Sequence, residues 1–279
     1  MSTKIHTIDR RTVLKAIGAT GIGACLCGCR TAPVTQRRQL MLLPEGQEIA
    51  LGSEAYQETI ASEPASQNTR LSQMVNRVGQ RIAAVSDRND YQWEFQLIAS
   101  PTQNAFCLPG GKVAIYEGIL PVCEDEAGLA VVISHEIAHA LARHGGERMS
   151  QTMAVDGVKM VAEKLIGTYA ADKKEILLKA YGVGSQYGVL LPYSQRQESE
   201  ADYIGLNLMA KAGYDPVVAP DFCTRFGNLK TGDQQPEFLS SHPADERRAA
   251  DLLKLMDESK TIYAGAPQKY GRGEVLIQA

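Results

Sequence analysis

The stretch EAGLAVVISHEIAHAL, residues 126 to 141, decides the fold. Ala127 to Ile133 is apolar on every side, which marks a helix destined for the interior rather than a surface helix with one apolar stripe. Glu124, Asp125 and Glu126 stand where the positive end of the helix dipole favours acids. Within the helix, His135 and His139 are four apart and project from one face, so both imidazoles can reach one metal ion. Glu136, one position beyond the first histidine, can reach a water on that metal. The five-residue motif H-E-x-x-H also arises by chance, and its placement carries the reading. Two histidines facing a protein interior are costly unless they are hydrogen-bonded or bound to something.

A zinc site of this kind needs a third protein ligand. Beyond residue 28 the histidines are His135, His139, His144 and His242. His144 follows His139 by five residues where a three-histidine site needs six, and Ala142 stands where that motif has glycine. It therefore reads as a polar helix-end residue. Glu198-Ser199-Glu200-Ala201-Asp202 offers the ligand instead, on a helix expected over Gln195 to Lys211. Glu198 and Asp202 share a face, and Glu200 is expected to point away. Glu198 can bind zinc while Asp202 accepts a hydrogen bond from the free nitrogen of a ligating histidine. Alone, these acids would read as an exposed helix face; beside the upstream motif they read as ligand and support.

Around this centre the pattern is that of an α+β, mostly helical domain. Gln47 to Ser62 and Thr69 to Val85 have helical spacing, the second with Leu71, Val75, Val78, Ile82 and Val85 on one side. Trp93, Phe95 and Leu97 alternate with polar residues, and Val113 to Tyr116 forms a second alternating run. Between them, Pro109-Gly110-Gly111 is turn chemistry, preceded by residues suited to a further short strand. Helix-prone sequence resumes from Glu147 to about Tyr181, and further helices are expected near Pro216 to Phe226 and Ala244 to Met256. Gly182 to Pro192 suits a lid over a cleft and a plain connector equally. The expected division is a leader over 1–28, a lipid-anchored linker over 29–44, the zinc-binding domain over 45–257 and a loose tail over 258–279.

The 279 residues are 22% charged and 44% hydrophobic, which suits a folded domain and excludes a disordered or fibrous chain. The formal charge of −3 becomes −6 without the first 28 residues, so there is no basic excess for a nucleic acid partner. Lys4, Arg10, Arg11 and Lys15 precede an uncharged run from Ala16 to Gly28, the layout of an export signal. Asp9-Arg10-Arg11-Thr12-Val13-Leu14-Lys15 resembles the twin-arginine type, with general secretion as the alternative. Leu26-Cys27-Gly28-Cys29 resembles a bacterial lipobox, with Cys29 as the lipidated residue. Arg30 after it, with no acidic retention residue, points to the outer membrane. No later stretch reaches 18 uninterrupted apolar residues. Cys107, Cys123 and Cys223 then allow at most one disulfide, whose pairing is open.

HEIAHALARHGGER from His135, ESEAD from Glu198, NAFCLPGG from Asn104 and HPADERR from His242 together resemble the HtpX, BepA and LoiP metallopeptidases, with the mitochondrial Oma peptidase and the CaaX prenyl proteases as more distant relatives. The resemblance covers roughly residues 33 to 256. It implies a zincin-type domain of the gluzincin class, with a small β-sheet beside the zinc helices and one zinc per chain on His135, His139 and Glu198. Glu136 is then the base and Asp202 the support, with active-site roles for His242 and Arg248. Asn104, Ala105, Phe106, Pro109 and Gly110 become candidates for substrate contact along a sheet edge; a simple core hairpin is the competing reading. Gln195 departs from the arginine of many relatives. HtpX and the prenyl proteases are multispanning and BepA adds a helical-repeat module, so the LoiP-like lipoproteins match best. The implied activity is zinc endopeptidase action on misfolded or unassembled envelope proteins. His242 or Arg248 would stabilise the oxyanion, or His242 would occupy the open zinc position of a resting enzyme. The competing classes are an envelope chaperone or assembly factor on the same fold, and a structural zinc lipoprotein with four closed ligands.

Overall fold

The computed structural model describes residues 29–164, 193–229, 237–243 and 246–276. The expected leader and the stretch 182–192 lie outside the described residues. A hairpin of β1 (Cys29–Thr31) and β2 (Arg38–Leu40) leads into α1 (Glu45–Ser62) and α2 (Thr69–Ala83). The stripe read from the sequence is the buried face of α2, and Asn68 caps its first turn by accepting from the amide of Leu71 at 3.1 Å. Next come β3 (Glu94–Ile98), β4 (Ala105–Leu108) and β5 (Lys112–Tyr116), in the spatial order β3-β5-β4. β3 runs parallel to β5 and β4 antiparallel to it.

The sheet is covered on both faces. Phe95, Leu97, Ala105, Cys107, Val113 and Ile115 belong to the main core with α2 and the metal-motif helix. Ile98, Phe106, Leu108, Ala114 and Tyr116 form a second core with Ala55 and Tyr56 of α1. The alternation in β5 therefore separates two cores, and all five of its residues are buried. The β4 to β5 turn holds Gly110 at φ 88° and Gly111 at φ 86°, two consecutive left-handed positions that favour glycine.

A 3-10 turn and the short α3 (Leu120–Cys123) precede α4 (Glu126–Leu141), whose N-cap Asp125 accepts from Gly128 N at 2.9 Å. Every residue of α4 except Val131 is buried. Arg143, at φ 56°, turns the chain into α5 (His144–Lys164). Next is α6 (Gln195–Lys211), opened by a capping box between Ser194 and Gln197. It crosses α4 closely, because a Cβ on Gly205 would stand 3.0 Å from the backbone nitrogen of His135. α7 (Val218–Asn228), α8 (Glu237–Ser241), α9 (Glu246–Lys254) and α10 (Met256–Gly265) follow. Among the described residues, no helix is long and apolar enough to cross a membrane, and Cys29, Cys107, Cys123 and Cys223 are free.

Two expected boundaries need correction. Residues 29–44 are docked: Ala32, Met41 and Leu43 are buried, Gln39 Nε2 donates to Ala142 O at 3.0 Å, and Leu42 N donates to Ser150 Oγ at 2.9 Å. Residues 258–276 are no loose tail either. α10 occupies their first part, and the strand-like remainder accepts from Glu126 N through Glu274 O at 2.9 Å and from Ala127 N through Arg272 O at 3.0 Å. Those amides belong to the first turn of α4, which has no partners within its own helix. Such main-chain pairing leaves no periodic side-chain pattern to read.

Candidate metal centre

His135 and His139 arise from α4, Glu198 from α6, and His242 from the segment just after α8. Their ligand atoms lie within 4.8 Å of one another and all four residues are buried. His135 Nε2 is 3.0 Å from His139 Nε2 and 3.3 Å from His242 Nδ1. Glu198 Oε1 is 3.3 Å from His139 Nε2 and 3.1 Å from His242 Nδ1. Tetrahedral zinc with ligand bonds of about 2.0–2.1 Å requires ligand atoms about 3.3 Å apart, so this donor set fits zinc. A buried oxygen beside these donors, Glu136 Oε1, lacks a hydrogen-bond partner. An unmet buried acceptor costs about 1–3 kcal/mol, a cost that a cation removes.

The supports around the histidines differ. His135 Nδ1 is 3.0 Å from Asp202 Oδ1, which leaves Nε2 for the metal. Asp202 in turn accepts from Arg248 Nε at 2.8 Å and Nη2 at 2.7 Å. Arg248 Nη1 lies 2.9 Å from Glu198 Oε2. The guanidinium thus spans Glu198 and Asp202, with Nε, Nη1 and Nη2 each beside a carboxylate oxygen. Burial opposes ionisation of Glu198 and Asp202, yet His242 and Arg248 hold the first, and Arg248 and His135 the second, below the usual carboxylate range. Glu136 has a longer contact, with His242 Nε2 3.4 Å from its Oε1. Burial pushes its carboxyl up to about 8 against the pull of His135.

His139 is supported by residues the sequence reading set aside. His144 is fully buried and its Nδ1 is 2.9 Å from His139 Nδ1. Its Nε2 is 3.1 Å from Glu200 Oε2, so Glu200 does not point away into solvent. Helical spacing separates Glu200 from the Glu198 face, but α5 and the N-terminal hairpin supply a second polar surface on that side. Tyr193 lies against His139 with ring centroids 3.8 Å apart, and Phe238 stacks on His242 at 4.3 Å. A scarce histidine within ten residues of the motif was the available signal for His144; nothing in the sequence marked Tyr193.

The substrate candidates fall elsewhere. β4 is an edge strand, but Ala105 and Phe106 are buried and Phe106 packs against Tyr116 in the second core. Pro109 and Gly110 meet Gly52 and Ile49 of α1, which places the turn in helix packing. These four residues thus bury their side chains in the hairpin and its packing on α1, while β4 keeps an outer edge with no paired strand among the described residues. Asn104 is buried too, with its Nδ2 3.3 Å from Glu237 Oε1 at the start of α8. Cys29 is exposed at the start of the hairpin. A cleft of about 200 Å³, lined by Tyr193, Arg196, Glu198, Pro243, Arg248 and Asp251, reaches the ligand carboxylate.

Comparison with known proteins agrees with this geometry. The sequence is 36% identical to the mitochondrial metalloendopeptidase OMA1 of Schizosaccharomyces pombe over 234 residues, 82% of this chain and 66% of that protein. Against OMA1 of Saccharomyces cerevisiae the identity is 36% over 179 residues, 62% of this chain and 49% of the relative. Against the beta-barrel assembly-enhancing protease of Escherichia coli K12 it is 27% over 229 residues, 81% of this chain and 47% of the relative. Identity to these mitochondrial proteins exceeds that to the bacterial one, the reverse of the order the motifs suggested. The chain spans less than two thirds of the length of these relatives. The description of peptidase family M48 matches residues 68–256, a span that holds His135, Glu136, His139, Glu198 and His242, and the chain belongs to that family.

Proposed function

We propose that this protein is a zinc-dependent endopeptidase of a bacterial cell envelope that cleaves misfolded or unassembled envelope proteins, with His135, His139 and Glu198 as metal ligands and Glu136 as general base. The observation that carries it is Glu136 itself. This buried carboxylate stands beside the donor cluster without belonging to it, and its Oε1 has no hydrogen-bond partner. A purely structural site has no use for such a group. When bound, zinc supplies a Lewis acid that acidifies water and polarises the scissile carbonyl, and its charge favours the ionised form of Glu136. Glu136 takes the proton of the attacking water at Oε1 and passes it to the nitrogen of the leaving amine. Asp202 and Arg248 keep His135 and Glu198 in orientation. His242 Nδ1 lies with the other three donor atoms, so it would close the site in a resting state and would have to withdraw before substrate is cleaved.

The envelope assignment is supported by the basic start, the uncharged run before Cys29 and the 27% identity to beta-barrel assembly-enhancing proteases. On this reading residues 1–28 are an export signal, Cys29 carries the lipid, and the docked hairpin holds the anchor against the metal domain. The closed fourth position also favours a second reading, a chaperone or assembly factor that binds outer-membrane proteins without cleaving them. Glu136→Gln separates the two. On the endopeptidase reading the variant keeps its zinc and loses about 10²–10⁴-fold in hydrolysis of an unfolded protein. Full complementation of a deletion strain by this variant would establish the binding role instead.

A further inference from the structure

We propose that Glu200, held by Arg37 and Thr35 of the N-terminal hairpin, sets through His144 which nitrogen of His139 faces the metal, so that the hairpin after Cys29 is a positioning element of the metal centre. The proposal rests on the ligand set above.

The chain of contacts is continuous, and Glu200, His144 and His139 within it are buried. Arg37 Nε donates to Glu200 Oε2 at 2.5 Å, and Thr35 Oγ1 donates to Glu200 Oε1. Glu200 Oε2 lies 3.1 Å from His144 Nε2, and His144 Nδ1 lies 2.9 Å from His139 Nδ1. His139 Nε2 then faces His135 Nε2 and Glu198 Oε1. The Arg37 and Glu200 side chains are 9% and 5% exposed, so water does not substitute for either.

Proton counting gives the chain a direction. Glu200 already accepts from Arg37 and Thr35, and a carboxylate so placed acts as acceptor toward His144, whose Nε2 must carry the hydrogen. Neutral His144 then has a bare Nδ1. Two ring nitrogens 2.9 Å apart share one hydrogen, so it sits on His139 Nδ1 and the lone pair of His139 Nε2 is left for the metal. Reversing the contact at Glu200 reverses the whole series: a hydrogen on His144 Nδ1 forces one onto His139 Nε2 and blocks the ligand. His135 achieves the same end through direct contact with Asp202, whereas His139 depends on a relay that ends in another part of the chain.

Arg37 also fixes where the relay stands. Its Nη1 and Nη2 donate to Glu147 Oε1 at 2.8 Å and Oε2 at 2.6 Å, while Gln197 Nε2 donates to Glu147 Oε2 at 2.8 Å. One guanidinium therefore ties α5 and α6 together beside the metal helix. Bidentate pairing of this kind sets angle as well as distance.

The test uses the full chain and two readouts. Zinc affinity is measured by chelator competition, and the tautomer of His139 is read from long-range ¹H–¹⁵N spectra of the metal-free protein. Glu200→Ala removes the acceptor that holds the hydrogen on His144 Nε2, so zinc affinity is expected to fall on the order of 10–100-fold and His139 to lose its fixed Nδ1–H form, with the Nε2–H form becoming populated. Arg37→Ala is expected to weaken zinc in the same direction by less. Unchanged zinc affinity and an unchanged tautomer in Glu200→Ala overturn the proposal. If that variant does not fold, Arg37→Ala decides, and wild-type affinity there overturns it. Glu198→Ala separates this failure from that of the ligand set: zinc binding that survives Glu198→Ala refutes the site on which the relay rests, whatever Glu200→Ala does.

Discussion

His242 Nε2 stands 3.4 Å from Glu136 Oε1 while its Nδ1 stands 3.1 Å from Glu198 Oε1. One imidazole thus separates the base from a ligand carboxylate. The backbone amide of His242 donates to Phe238 O at 2.8 Å, which ties the position of this ring to α8. His242→Ala is expected to weaken zinc binding by about tenfold, as loss of a metal partner does, and to raise basal hydrolysis of an unfolded substrate. Chelator competition and a fluorogenic peptide assay measure the two effects. If both stay at wild-type values, His242 serves packing alone.

Gly205 sets the distance between the two metal-bearing helices. A Cβ there would lie 3.0 Å from His135 N, 3.1 Å from His135 Cα and 3.1 Å from the carbonyl carbon of Ser134, all main-chain atoms that cannot swing away. Gly205→Ala must push α6 from α4 by a few tenths of an ångström, at a cost of about 1–3 kcal/mol for overpacking. The same shift moves Glu198 and Asp202 away from the histidines, so zinc affinity falls with stability. Thermal unfolding with and without zinc reads both, and a variant with wild-type zinc affinity would show that the crossing does not set the site.

The centre was legible where helical periodicity alone places side chains. The four-residue spacings of His135 with His139 and of Glu198 with Asp202 put each pair on one face, and the structure turns both faces toward each other. Glu200 was misread for the same reason. A helical wheel says which residues diverge from Glu198 but says nothing about α5 and the hairpin, which come from distant sequence to meet the other side. The side chain of Phe106 could not be placed because an edge strand and a buried strand share the same alternation, and it is the cover that α1 provides that buries it. The docking of residues 266–276 had no signal at all, since its bonds are between backbone groups.

The turn after the metal helix depends on a buried ion pair. Arg143 Nη2 donates to Glu48 Oε1 at 2.6 Å and Nε to Oε2 at 3.1 Å, with Glu48 1% exposed. Glu48→Ala strands the guanidinium, and removal of one partner of a buried pair costs about 3–5 kcal/mol; urea unfolding measures it. Burial raises the carboxyl of Glu48 above its usual 4.5 despite Arg143. The fold therefore holds this proton more tightly than the unfolded chain does, so the stability contribution of Glu48 is full below about 4.5 and declines as pH rises through the raised folded value. Subtracting the pH profile of Glu48→Gln should reveal that decline; a difference rising with pH would reverse the assigned sign.

Leu276 is fully buried in the main core and its amide donates to Glu124 O at 2.8 Å, next to the N-cap of the metal helix. Leu276→Ala removes buried apolar atoms and leaves a cavity, and such changes cost about 2–5 kcal/mol. Beyond the global loss, the segment that accepts from Glu126 N and Ala127 N loses its apolar anchor. Amide exchange at Glu126 and Ala127 should therefore accelerate more than at Ala114 of β5, whose side chain lies in the second core. Uniform acceleration across β5 and α4 would mean that Leu276 contributes only to the core as a whole. A selective effect would show that the first turn of the metal helix is secured by the segment nearest the C-terminus, which the sequence pattern leaves unmarked.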